Sequence, residues 1–223
     1  MLGATGCGGG VSAEQLPPPE NIASQQRLFG TVEFRGDLDI LKNWQRIVSV
    51  APQQLQQFSS PANEQPLQSA KGWQDLVSQL SQSTPRQQVV AINQFFNQWP
   101  YRQDQSIWQR NDYWETPLEF LRHSGDCEDY AICKYFALRY IGFESEQLRI
   151  VILRDTIRSI THAVLAVYLN DDILILDNLS SPVFSHQRYQ HYVPQYSVSE
   201  RHRWIHIKPR ITIQPPPQRS TGD

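Results

Sequence analysis

Near residue 148 the hydrophobic pattern of this chain changes from helical to strand-like, and it does so once. That order confines the chain to an α+β fold, with helices first and an antiparallel sheet afterwards. Before the switch, Asp37 precedes an apolar stripe of Leu38, Leu41, Trp44 and Val48 that predicts a helix ending at Pro52. Trp73, Leu76, Val77 and Leu80 form a second stripe. Thr84-Pro85-Arg86-Gln87 is a capping box with proline at the first helical position, and it predicts a helix through Val89, Ile92, Phe95 and Phe96, closed by Pro100. Thr116-Pro117-Leu118-Glu119 repeats the signal for a short helix. A further helix is expected from about Cys127 to Tyr140, with Gly142 just past its end.

After the switch, Leu148–Asp155, His162–Leu169 and Asp172–Leu179 are rich in Val, Ile and Leu and read as strands. Asn170-Asp171 joins the last two as a hairpin turn, and a fourth strand is expected across Arg203–Lys208. No linker interrupts this order, so one domain is expected over residues 30–208, between a flexible leader (1–29) and a flexible tail (209–223).

Charge removes several function classes. The 223 residues carry 20 basic and 22 acidic side chains, a net charge of -2, so there is no basic footprint for nucleic acid. No stretch approaches the roughly 18 apolar residues of a membrane helix, so no direct membrane span is expected. The first residues carry neither a cationic segment nor an apolar one, so they do not read as an intact secretory signal. Three cysteines, Cys7, Cys127 and Cys133, are too few and too scattered for a disulfide framework or a four-thiolate zinc site.

One of those thiols is singled out by its setting. In Ser124-Gly125-Asp126-Cys127-Glu128-Asp129, Asp126 is placed as an N-cap, which puts Cys127 in the first helical turn. Unpaired backbone N–H groups and the helix dipole favour a thiolate there. Taken alone, such a cysteine is more often a small packing residue. The hairpin shifts that balance. If Leu169 pairs with Asp172, Val164 lies opposite Asp177, and His162 becomes its diagonal neighbour on the same face, within reach of a hydrogen bond. A charge at Asp177, after the apolar run Ile173–Leu176, is costly unless partnered. The alternative is that both residues sit solvated at strand ends. A helix-terminal thiol, an imidazole and an orienting carboxylate together have the roles of a cysteine-protease triad.

The segments DYWETPLEFLRHSGDCEDYAICKYFALR, LRIVILRDTIRSITHAVLAVYL, ILDNL and YSVSERHRWIHI resemble the bacterial transglutaminase-like cysteine proteases of the LapG type, a branch of the papain-like fold. The resemblance spans residues 30–208. It implies Cys127 as nucleophile, His162 as general base and acid, and Asp177 as orienting carboxylate. It also implies a periplasmic endopeptidase that cuts the N-terminal region of a large surface adhesin beside a small di-alanine-type sequence. Such a cut releases the adhesin and disperses the biofilm. The implied partner is an inner-membrane cyclic di-GMP receptor that sequesters the protease.

Asp126, Glu128 and Asp129 surround the thiol with negative charge, which opposes the helix dipole and raises a thiol pKa. Acids at a helix start account for part of this conflict, and a bound hard cation would account for the rest. The motif is no EF-hand, and the residues alone leave the question open. The resemblance implies Ca2+ held by Asp126, Glu128 and Asp129, and the loop Asn170–Asp172 is a further candidate oxygen donor. His123 is expected in a loop, Cys133 in the core, and Trp99, Trp108 and Trp114 as packing residues, one of which could instead present an indole N–H to an oxyanion. The backbone N–H of Cys127 is the other expected oxyanion donor. Two rival functions share these residues. One is transglutaminase-type acyl transfer to amines, and the other is a non-catalytic calcium-binding module.

Overall fold

The apolar runs beyond residue 148 pair as an antiparallel sheet, whose two faces bury alternate side chains. The computed structural model describes residues 27–59, 68–170 and 172–209. Cys7, Asp171, most of the expected leader and the tail from residue 210 lie outside them. The sheet has seven strands in the order β1-β7-β6-β2-β3-β4-β5, every pair antiparallel. The strands are β1 (Val32–Gly36), β2 (Leu148–Asp155), β3 (Ile160–Leu169), β4 (Asp172–Asp177), β5 (Ser180–Ser185), β6 (Tyr192–Val198) and β7 (Arg203–Ile207). The helices are α1 (Lys42–Ser59), α2 (Gln68–Leu80), α3 (Pro85–Phe96), α4 (Asp104–Ile107), α5 (Pro117–His123) and α6 (Cys127–Tyr140). This is the α+β arrangement that the pattern switch predicts.

The helices cover one face. Ile150, Leu165 and Leu174 join Trp44, Ile92 and Phe136 in the main core. On the opposite face Val151, Val164, Ala166 and Ile175 pack with Leu28, Tyr189 and Tyr192 in a smaller cluster. The alternation follows from the period of two along a strand. Helix α6 lies innermost, with Asp129 through Leu138 all buried.

Both expected capping boxes form, Thr84 with Gln87 and Thr116 with Glu119. Gly142 takes a φ of +105° just past α6, a conformation that favours glycine. Three expectations need correction. Asp37 does not open α1, because its Oδ1 accepts from the Asp39 N–H (2.8 Å) in a turn, and the helix starts at Lys42. Pro52 does not end α1 but lies within it, on an exposed side where water can satisfy the carbonyl it leaves unpaired. Strands β1, β5 and β6 have no counterpart in the pattern reading. In β6, Pro194 argues against a strand, yet it sits where the β2–β6 register shifts, a position that tolerates proline.

Candidate active site

The β3–β4 hairpin has the register that the sequence requires, with Leu169 opposite Asp172 and Leu165 opposite Leu176. That register brings His162 and Asp177 together, both buried, with Nε2 and Oδ1 2.9 Å apart. Asp177 is held from further directions. Its Oδ1 also accepts from the Leu179 N–H (2.9 Å), and its Oδ2 accepts from the Tyr192 hydroxyl (2.6 Å). Burial pushes the Asp177 pKa up. The hydrogen bond and charge of His162, with the Tyr192 and Leu179 hydrogen bonds, outweigh that and hold the carboxyl below the usual range. With Nε2 engaged on Asp177, the ring nitrogen left free is Nδ1.

Cys127 opens α6 and is half-buried. The Ala163 N–H, next in the chain to His162, lies close enough to the Cys127 sulfur to favour the thiolate. The thiol itself donates to Glu128 Oε2 (3.2 Å). Burial first, then the charges of Glu128 and Asp126, push its pKa well above the ordinary thiol value. Burial and the acids together therefore outweigh the helix dipole at this thiol.

The loop before α6 is shaped for close approach. Ser124 ends α5 with a φ of 62°, and a Cβ on Gly125 would lie 2.2 Å from Asp129 Oδ2. Only glycine lets Asp129 fold back under the turn. There Asp129 Oδ2 accepts from the Asp126 N–H (3.0 Å), and its Oδ1 accepts from the Glu115 N–H (2.7 Å).

The acids extend beyond the motif. Ligand atoms of Asp126, Cys127 and Glu128 lie within 4.8 Å of one another, as do those of Asp104, Asp126 and Asp129 and those of Asp104, Asp112 and Glu128. Asp104 and Asp112 escape a sequence reading because α4, which Asp104 opens, is a single turn and Asp112 lies in the loop after it, with no periodicity to flag either. Asp104 is fixed through Oδ2, which accepts from the Tyr113 N–H (2.6 Å), and the Trp114 side chain beside Asp112 favours its charged form. The Oδ1 atoms of Asp104 and Asp126 are buried without a hydrogen-bond partner. Burial, then the Glu128 hydrogen bond and charge, push Asp126 up to about 10, and burial with Glu128 nearby raises Asp104 and Asp112. Oxygen donors crowded in this way, two of them orphaned, fit a hard cation such as Ca2+.

Other expectations resolve simply. The hairpin turn at Asn170 lies at the end of β3 remote from His162, and Asp172 Oδ1 is occupied by the Ile173 N–H (2.8 Å) and the Ser185 hydroxyl (2.6 Å). Asn170 and Asp172 are therefore not donors to the acid cluster, because the length of β3 separates them from it. The Trp108 indole donates to Glu115 Oε1 (2.6 Å), so it is not free for an oxyanion, and Trp114 is buried with its ring edge-on to Trp44 in the core. Trp99 packs with Phe95 and Phe120. His123 belongs to the last turn of α5, edge-on to Trp108, rather than to a loop. Cys133 is fully buried, as expected. Cavities of about 360 and 620 Å³ lie elsewhere, the first beside Arg27 and His186, the second between the start of α3, Gly142 and Asp172.

Comparison with known proteins gives this geometry a context. The family of bacterial transglutaminase-like cysteine proteinases matches residues 48–211. Solved structures of Legionella pneumophila LapG, including calcium-bound and EGTA-treated forms, are 31% identical to this chain with a TM-score of 0.60. The first two cover 70% of this chain and 88% of their own, and the EGTA-treated form 70% and 86%. No match is found among curated proteins. The chain belongs to the bacterial transglutaminase-like cysteine proteinases, and it is a LapG-like cysteine endopeptidase.

Proposed function

We propose that this endopeptidase works through Cys127, His162 and Asp177, depends on Ca2+, and acts in the periplasm on the N-terminal region of a large surface adhesin. The observation that carries the reading is the buried His162–Asp177 pair, next in the chain to Ala163, whose N–H lies by the Cys127 sulfur. Asp177 holds the Nε2 proton of His162, so Nδ1 is left bare as the base for the thiol. The thiolate attacks the peptide carbonyl, the imidazolium returns its proton to the leaving amine, and water releases the acyl group. The Cys127 N–H, unpaired at the start of α6, is directed at the developing oxyanion.

Asp104, Asp112, Asp126, Glu128 and Asp129 are the residues that would hold the cation. Bound there, Ca2+ would offset the negative field that now raises the thiol pKa. That a LapG structure is calcium-bound supports Ca2+ as the cation, while the residues follow from the geometry here. The implied adhesin cut, biofilm dispersal and sequestration by an inner-membrane cyclic di-GMP receptor extend the same reading to the cell.

The test is to incubate purified protein with adhesin N-terminal fragments, in calcium or in excess chelator, and map the products by mass. A discrete cut in calcium, absent in chelator and in Cys127→Ala, is expected. Full cleavage in chelator removes the metal from the reading. Incorporation of a labelled amine without cleavage replaces hydrolysis by acyl transfer.

A further inference from the structure

Helix α6 carries a second polar group that the reaction does not explain. Lys134 lies two turns beyond Cys127 and is fully buried. An ammonium taken out of water is unfavourable by several kcal/mol unless well partnered, and a methionine of similar length would fill the same space without that penalty. Its Nζ donates to Asn97 Oδ1 (2.6 Å) and lies 5.5 Å from the Tyr130 ring centroid.

Asn97 follows α3 and leads directly to the triad carboxylate. Its Nδ2 donates to the backbone carbonyls of Asp177 (2.9 Å) and Ser180 (3.1 Å). One turn earlier, Asn93 Nδ2 donates to the carbonyls of Ser180 (2.8 Å) and Ser181 (3.0 Å). These amides act where the sheet holds its corner least regularly. The β3–β4 ladder stops at Leu176, and the β4–β5 register shifts between Ile175 and Asp177. Asp177 therefore has no ladder partner in β3, and in β5 it pairs with Ser180 only beyond an irregularity. Its main chain is held by the side chain of Asn97, whose amide is oriented by Lys134.

We propose that Lys134 and Asn97 are positioning residues of the active site, a buried strut that lets one helix, α6, set both the thiol and the carboxylate that orients its base. The strut fixes which way the Asn97 amide faces. With Oδ1 on Lys134, Nδ2 must point at the Asp177 and Ser180 carbonyls, and the reverse orientation would set two oxygens against each other. The charge of Asp177 also attracts Lys134, so the two ends of the strut favour one another. This inference rests on the triad reading above.

The test compares Lys134→Met and Asn97→Ala with wild type in the full chain. It measures kcat and KM on a cleaved peptide, Tm, and the proton resonance of the His162 ring N–H, which reports the bond to Asp177. Expected in both variants is a fall in kcat of about tenfold or more with KM within about twofold. The His162 resonance should shift or broaden, and Lys134→Met should keep or raise Tm. An unchanged His162 resonance overturns the proposal, whether kcat is retained or falls together with Tm. Should Lys134→Met fail to fold, Asn97→Ala decides alone. If wild type cleaves nothing, the triad reading fails, while the resonance, which needs no substrate, still decides the positioning claim.

Discussion

Asp177 accepts hydrogen bonds from His162, Tyr192 and the Leu179 backbone at once, and its replacement has direct consequences. Asp177→Asn keeps an oxygen for the His162 Nε2 proton, whereas Asp177→Ala leaves the ring without an orienting partner. Peptide cleavage should nonetheless fall in both variants, by about the order of 10⁴-fold in kcat, because the asparagine amide can also set the wrong ring tautomer. Activity close to wild type in either variant would mean that Asp177 does not orient the ring. Gly125 gives a second test at this scale. Because a Cβ there would meet Asp129 Oδ2 at 2.2 Å, Gly125→Ala must push Asp129 out of its turn. A loss of about 1–3 kcal/mol in denaturant unfolding is expected, with weaker calcium binding in titration calorimetry. Cys127, His162, Asp177 and the acids next to Cys127 were legible in the sequence, since a turn signal, a period of two and a helix start are all local patterns. Asp104 and Asp112 were not, because only the folded path of the chain brings them to Asp126 and Glu128.

At the scale of elements, α6 is the piece on which the account depends, with Cys127 at its start and Lys134 buried further along. Burial lowers the Lys134 pKa to about 7 despite the attraction of Asp177. The unfolded chain therefore binds one more proton than the folded one between about pH 7 and the ordinary lysine value. Stability attributable to this group should rise with pH across that window, by at most about 1.4 kcal/mol per pH unit. The difference in unfolding free energy between wild type and Lys134→Met isolates the slope, and a flat difference would show that Lys134 is not desolvated. The helices with capping boxes and the apolar strands β2, β3 and β4 could be read because each carries its signal within its own residues. Strands β1, β5 and β6 could not. β1 is short and at the edge, β5 is polar and contains Pro182, and β6 carries Pro194 at its register shift. Their strand character comes from the neighbours they pair with rather than from propensity.

Across the whole molecule, helices shield one face of the sheet and present the start of α6 beside the beginning of β3, where His162 lies. No helix among the described residues is long and apolar enough to cross a membrane. Calcium held by the crowded acids, as proposed, would contribute to the fold as well as to the site. Saturating calcium should raise Tm, with stabilisation of about 2.7 kcal/mol at a hundredfold excess over Kd, and EGTA should reverse it. Asp126→Asn with Glu128→Gln should remove that response, and a calcium effect that survives this double variant would place the ion elsewhere. The central claim is that Cys127 is the nucleophile and His162 its base. Its most direct measurement is the rate of alkylation by iodoacetamide at each cysteine of the folded, calcium-loaded protein near neutral pH, read by peptide mass mapping. The account predicts labelling of Cys127 well ahead of Cys7 and Cys133, and a marked slowing at Cys127 in His162→Ala. Equal labelling of all three thiols, or a Cys127 rate indifferent to His162, would contradict it.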